Sequence, residues 1–162
     1  NCLTRNPKIS RTREGLFCHH IDEDKAIMLS NDRYAKHNPF AYQKSDRLVY
    51  CDFLEHLLLH LKIIEEPRNA NANNAELPGI GGAVNFLTRQ INDFFSGHIP
   101  TQEYLAIATS IIEQDYDSYI LILNRLWSAI ASKPEYSFYI KKEDLARDWN
   151  GNIVEKIYHA IG

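Results

Sequence analysis

The chain has 162 residues, room for one compact domain or a small domain with an extension. Apolar residues make up 44% and charged residues 24%, which excludes a largely disordered, collagenous or low-complexity chain. Lys+Arg is 18 against 21 Asp+Glu, a formal charge of −3, so the chain as a whole is no basic nucleic-acid sponge. No apolar run approaches the ~20 residues that span a bilayer, and no membrane partner is expected. The polar, basic start NCLTRNPKISRTREG has no apolar signal segment. Its first residue is Asn1 and not Met, which leads us to expect an excised or processed piece. Three cysteines, Cys2, Cys18 and Cys51, lack CxxC spacing. That excludes a Cys-based zinc ribbon, makes a poor disulfide framework and fits a reducing, cytoplasmic compartment.

The first segment carries Arg5, Lys8, Arg11 and Arg13 against Glu14. Such an arm suits phosphate contact, with Arg11 and Arg13 as the candidate phosphate binders; a solvated tail explains it equally well. Residues 15–21, GLFCHHI, read as a short strand. Residues 22–45 are irregular, holding Asp22, Glu23 and Asp24 and the breaker Asn38-Pro39. Residues 46–51, DRLVYC, form a second strand. Asp52 then N-caps a buried helix, DFLEHLLLHLKIIEE, that stops before Pro67.

Residues 67–82, PRNANANNAELPGIGG, read as a linker, with GIGG a hinge and not a phosphate loop. Val84, Leu87, Ile91 and Phe94 predict a helix over about 83–96, stopped by Gly97. Thr101 is placed to cap one long helix. Its stripe of Leu105, Ala108, Ile112, Tyr116, Tyr119, Leu123, Leu126 and Ile130 packs on the preceding helix and ends at Pro134. The segment KKEDLARDW and a last helix with Ile153, Ile157 and Ile161 close the chain. The expected fold is α+β and mostly helical. Residues 1–66 form a small β-hairpin-plus-helix core, 67–82 a linker, and 83–162 a helical extension packed on that core. The extension's Tyr, Leu and Ile suit a homodimer or a filled monomer core.

The histidines carry the chemistry. His56 and His60 stand i, i+4 on the predicted helix, one turn apart on one face, as a shared metal needs. An imidazole among leucines must find a partner, either a metal or a core hydrogen bond. The HExxH protease motif is excluded, because Leu57 follows His56. His19 and His20 are adjacent, so on a regular strand they point to opposite faces. At a strand end they straddle a site, one ligating and one acting as base, a division that suits phosphodiester hydrolysis. His37, His98 and His159 show no partner spacing.

HHID at 19–22, RLVYC at 47–51 and EHLLLH at 55–60 resemble the HNH (ββα-metal, His-Me finger) nucleases, with spacing similar to the colicin-type DNases. Eight residues separate Arg47 from His56 and three separate His56 from His60; the resemblance covers roughly residues 13–64. It implies a metal-dependent endonuclease with one divalent ion (Mg, Mn, Ni or Zn) held by His19, His56 and His60. It implies His20 as the general base and DNA in preference to RNA as substrate. Asp22 is placed to hydrogen-bond a ligand imidazole, or to cap the loop. Cys18 and Cys51 become small core residues on the two strands.

One departure matters. The family's middle Asn is Arg47 here, a donor with no acceptor. Arg47 is assigned to the catalytic set, either donating to a backbone carbonyl to keep the loop shape or binding phosphate. The alternative is that it leaves the base poorly oriented. The competing function is an inactive metal-binding module that binds nucleic acid or a protein; a third is a small α+β protein with no metal. The resemblance implies a bacterial or phage setting, and a delivered toxin domain would bring an immunity partner.

Overall fold

The computed structural model describes residues 7–66 and 77–162. Arg5, Cys2 and most of the predicted linker lie outside that range. The fold is α+β, mostly helical, around one two-stranded antiparallel sheet. Strand β1 (Phe17–His20) pairs with β2 (Leu48–Cys51), with Phe17 opposite Cys51 and His20 opposite Leu48. Both strands are shorter than their sequence windows, because the chain turns sharply after His20 and enters β2 from a 3-10 turn at Ser45–Arg47.

Helix α1 (Phe53–Glu65) follows β2 directly. Asp52 accepts from the Glu55 backbone N–H, and Glu55 accepts from that of Asp52, a reciprocal cap. Phe53, Leu57, Leu61 and Ile64 are fully buried. That leaves the His56–His60 face for β1. The far end of α1 is closed by Lys133, whose ammonium donates to the carbonyls of Ile64 and Glu66.

Helix α2 begins with a turn at Ile80–Gly82, passes through a π-helical stretch at Ala83–Leu87 and continues as α-helix over Thr88–Phe95. So GIGG is not a hinge: its last three residues form the start of this helix. The predicted long helix is two, α3 (Glu103–Ile111) and α4 (Tyr116–Ala131). Thr101 does not cap; Gln102 holds the cap position without a side-chain bond. The apolar stripe runs on unbroken in sequence, but its halves have different partners. Helix α3 covers the N-terminal segment, where Gly15 (φ +86) comes so close to Ala108 that a Cβ would stand 3.0 Å from its backbone. Helix α4 lies along α1, tied by Arg125 to Glu65 at 2.5 and 2.7 Å. Short helices follow at Pro134–Ser137 and Lys142–Leu145, then α5 (Glu155–Ala160). Ile157 and Ile161 are buried, whereas Ile153 is exposed.

One continuous apolar cluster runs from Phe17 and Phe53 through Leu87 and Leu123 to Ile161, so hairpin, α1 and the helices beyond share a core. Among the described residues no helix is long and apolar enough to cross a membrane.

A buried polar hub pins α2. The Asn92 amide donates to the carbonyls of Leu145 and Arg147 at 2.9 and 2.7 Å, and its oxygen accepts from the Tyr119 hydroxyl at 2.5 Å. Asn92→Ala strands the Leu145 and Arg147 carbonyls, while the Tyr119 hydroxyl keeps the Thr88 carbonyl at 3.2 Å; at about 1–3 kcal/mol for each unsatisfied group it is expected to cost at least about 2 kcal/mol. The shift in urea unfolding midpoint, followed by far-UV circular dichroism, measures it.

Candidate metal centre

Strand β1 ends at His20, and a 3-10 turn at Ile21–Asp24 folds the chain back beneath it. This turn resolves the problem of adjacent histidines. His19 faces α1, with its ring centroid 5.0 Å from that of His56 and 5.2 Å from that of His60. Each of the three offers a nitrogen, and these lie within 4.8 Å of one another. His19, His56 and His60 therefore form a group able to hold a metal ion, as predicted.

The surroundings fit a cation. The Nδ1 atoms of His19, His20, His56 and His60 are buried with no hydrogen-bond partner among the described residues. Burial holds His19 down to about 4 and His56 to about 3, with the neighbouring imidazoles adding to the effect. His60 lies well below its ordinary value for the same reasons, the Gly79 backbone acting in the opposite sense. So the imidazoles are neutral, with lone pairs available, the state a metal requires. Glu23, carried by the turn, points into the cluster. Its Oε2 lies 3.8 Å from His19 Nδ1 and 3.6 Å from His60 Nε2, and its Oε1 lies 3.8 Å from His20 Nδ1. Burial pushes its carboxyl up to about 7.

His20 stands at the edge of the cluster. Its Nε2 meets Gln43 Oε1 at 3.1 Å, and Gln43 Nε2 donates to the Leu29 carbonyl at 2.9 Å. The second bond fixes which end of the amide faces His20. The Nε2–H of His20 is therefore the donor, and Nδ1 carries the free lone pair. A cavity of about 260 Å³ opens here, lined by His20, His56, Gln43, Arg11, Leu29 and Phe86 among others. Arg11 lines this cavity, and its guanidinium lies 3.7 Å above the Tyr104 ring. Arg13 is exposed and does not line it.

Two expectations need correction. Asp22 bonds no ligand imidazole. It is buried and accepts from Arg47 Nε and Nη2 at 2.7 and 2.6 Å and from Lys25 at 2.6 Å. Those cations hold its carboxyl far below the usual range. Arg47 in turn keeps the loop shape through a carboxylate and not through a backbone carbonyl, and this fork occupies two of its donors. Orientation of His20 falls to Gln43. Cys51 is buried with its thiol pushed up to about 12, and Cys18, half-buried, is raised as well, so both stay protonated. His37, His98 and His159 are exposed.

Glu23, Gln43 and Gly82 were not singled out from the sequence. Glu23 stands i+4 from His19 and i+3 from His20, a usable spacing only if residues 21–24 are helical, whereas Ile21 reads as strand and 22–24 as irregular. Gln43 lies 23 residues from His20 with no periodic signal. Gly82 packs on the His60 ring: a Cβ there would stand 2.2 Å from Cε1 and 2.5 Å from Nε2.

The chain matches no protein-family model, no curated protein and no solved structure in these comparisons.

Gly82→Ala is expected to push His60 out of the cluster and weaken Zn²⁺ binding by about tenfold or more, the size of effect that follows loss of ligand positioning; isothermal titration measures it. Acid should also destabilise the chelator-treated protein. Unfolded histidines take up protons below 6.5, whereas folded His19 and His56 do so only near 4 and 3. The unfolded state then binds more protons, so stability falls as pH drops through that window. Glu23 acts oppositely, contributing stability below its ordinary 4.5 that is lost as pH rises through about 7. Several imidazoles outweigh one carboxyl, and the thermal midpoint of the metal-free protein should fall between pH 7 and pH 5.

Proposed function

We propose that the protein is a metal-dependent phosphodiester hydrolase of the HNH type, acting on nucleic acid and on DNA in preference to RNA. The observation that carries this reading is the pairing of two kinds of imidazole across one turn. Three converge with a nitrogen of each within 4.8 Å of the others, and the fourth, His20, keeps beside them an Nδ1 with no hydrogen-bond partner among the described residues. His19, His56 and His60 hold one divalent ion. Three nitrogen donors favour Zn²⁺ or Ni²⁺ over Mg²⁺, which prefers oxygen. When bound, the ion supplies positive charge for the phosphate and for the leaving oxygen.

The chain's own groups do the rest. His20 Nδ1 takes a proton from water, and the Gln43 bond to Nε2–H holds the ring in that tautomer and supports the imidazolium that forms. Arg11, at the cavity beside His20, offers a cation to a substrate phosphate. Asp22, Arg47 and Lys25 lock the loop that carries Gln43 to β2.

The second reading, a closed structural metal site in a binding module, is favoured by Glu23, an oxygen donor already inside the cluster. Incubation of plasmid DNA with protein and Zn²⁺, Ni²⁺, Mn²⁺ or Mg²⁺ separates the two. Cleavage should require metal and stop with EDTA. His20→Ala should lower the rate by about 10²-fold or more while leaving metal affinity within about threefold. Gln43→Leu should also lower the rate at unchanged metal affinity, and Gln43→Glu, which keeps an acceptor, should restore most of it. No cleavage with any metal, by wild-type protein that binds the ion tightly, would overturn the hydrolase reading.

A further inference from the structure

We propose that Glu23 is the fourth protein ligand of the three-histidine ion in the free protein, and that it occupies the position a substrate phosphate must take. This rests on the metal centre proposed above and adds to it a carboxylate that blocks its own site.

The geometry comes first. Bonds of about 2.0–2.2 Å to nitrogen and oxygen place neighbouring ligand atoms of a tetrahedral ion about 3.3–3.5 Å apart. One oxygen of Glu23, Oε2, lies 3.8 Å from His19 Nδ1 and 3.6 Å from His60 Nε2, close to that spacing from both. These contacts are too long for hydrogen bonds.

Charge balance points the same way. The Glu23 side chain is only 15% exposed, and among the described residues its ion-pair partners are imidazoles alone. Lys25 and Arg47, the cations bound to this turn, are both committed to Asp22. A buried carboxylate ringed by neutral rings lacks a counter-charge, and a divalent ion supplies one. The local backbone is built for it. The Ile21–Asp24 turn places Glu23 beneath His19 and His20, while Asp22 on the same turn is anchored in the opposite sense by Arg47.

The second oxygen decides the consequence. Oε1 lies 3.8 Å from His20 Nδ1, the lone pair that faces the site. Glu23 therefore spans the gap between the ligand imidazoles and the base. That gap is where a phosphate oxygen and the attacking water would have to stand, so the carboxylate must swing aside for substrate to enter. Removing the carboxylate should weaken the hold on the metal and open the centre to anions.

The test uses the full chain stripped with chelator and titrated with Zn²⁺ by calorimetry and with Co²⁺ by visible absorption, which reports four-coordinate geometry. Inorganic phosphate is then added to the Co²⁺-loaded protein. Compared are wild type, Glu23→Gln, the exposed neighbour Asp24→Asn and His56→Ala, each checked for native circular dichroism. Glu23→Gln should bind Zn²⁺ about tenfold or more weaker and shift the Co²⁺ spectrum, with phosphate perturbing that spectrum at lower concentration than in wild type. Asp24→Asn should match wild type. If Glu23→Gln binds both ions as wild type does and His56→Ala does not, the fourth-ligand assignment is overturned and the three-histidine centre stands. If wild type fails to bind, or His56→Ala binds as tightly, the centre itself is overturned and this assignment with it.

Discussion

The constraint on which the structure turns is the burial of a polar cluster in an apolar wedge. His19, His20 and His60 are each under a tenth exposed, pressed between β1 and a helix whose other face is leucine and phenylalanine. Neutral imidazoles tolerate such a place only when their nitrogens find partners. Here four Nδ1 atoms do not find one among the described residues. The fold keeps them together through backbone devices: a two-stranded ladder, a 3-10 turn and a capped helix. None of these depends on the side chains of the cluster. The scaffold is therefore preorganised to present nitrogen lone pairs to something from outside.

The neighbouring carboxylates illustrate how position sets role. Asp22 and Glu23 are adjacent, both removed from solvent, and they lie at opposite ends of the carboxylate range. Asp22 accepts from Arg47 and Lys25, and its charge is secure. Glu23 faces imidazoles and has its proton held more tightly. A 3-10 turn sends consecutive side chains in different directions, so one residue of the pair locks the loop while the other enters the cluster. Arg47 has its place in that lock. Arginine's fork matches a carboxylate, and the loop between the strands is held by an ion pair.

The helical extension is part of the site. Its first turn places Gly82 against the His60 ring, where any side chain would collide. Its later helices complete the core under α1, and Lys133 closes the end of that helix. A two-stranded hairpin and one helix have too little apolar surface to bury these histidines alone. The extension supplies the missing wall, and so the geometry of the histidine cluster depends on residues far along the chain.

Much of this was legible in the residues. Local patterns determined the two strands, the Asp52 cap, helix α1 and the three clustered histidines, because each depends on spacing of a few residues along one element. The i, i+4 pair on a helix and the double histidine at a strand end are local facts, and the tertiary structure left them in place. What the tertiary structure alone decided was every partner at long range. Gln43 reaches His20, Arg47 reaches Asp22 and Gly82 reaches His60 across stretches with no periodicity to announce them. The unbroken stripe from Leu105 to Ile130 read as one helix because a helical pattern records which face is apolar and not where that face must go. The chain breaks it so that one half covers the N-terminal segment and the other lies along α1. Sequence periodicity encodes burial on an element; the direction of the element, and the company its polar groups keep, are settled only when the whole core closes.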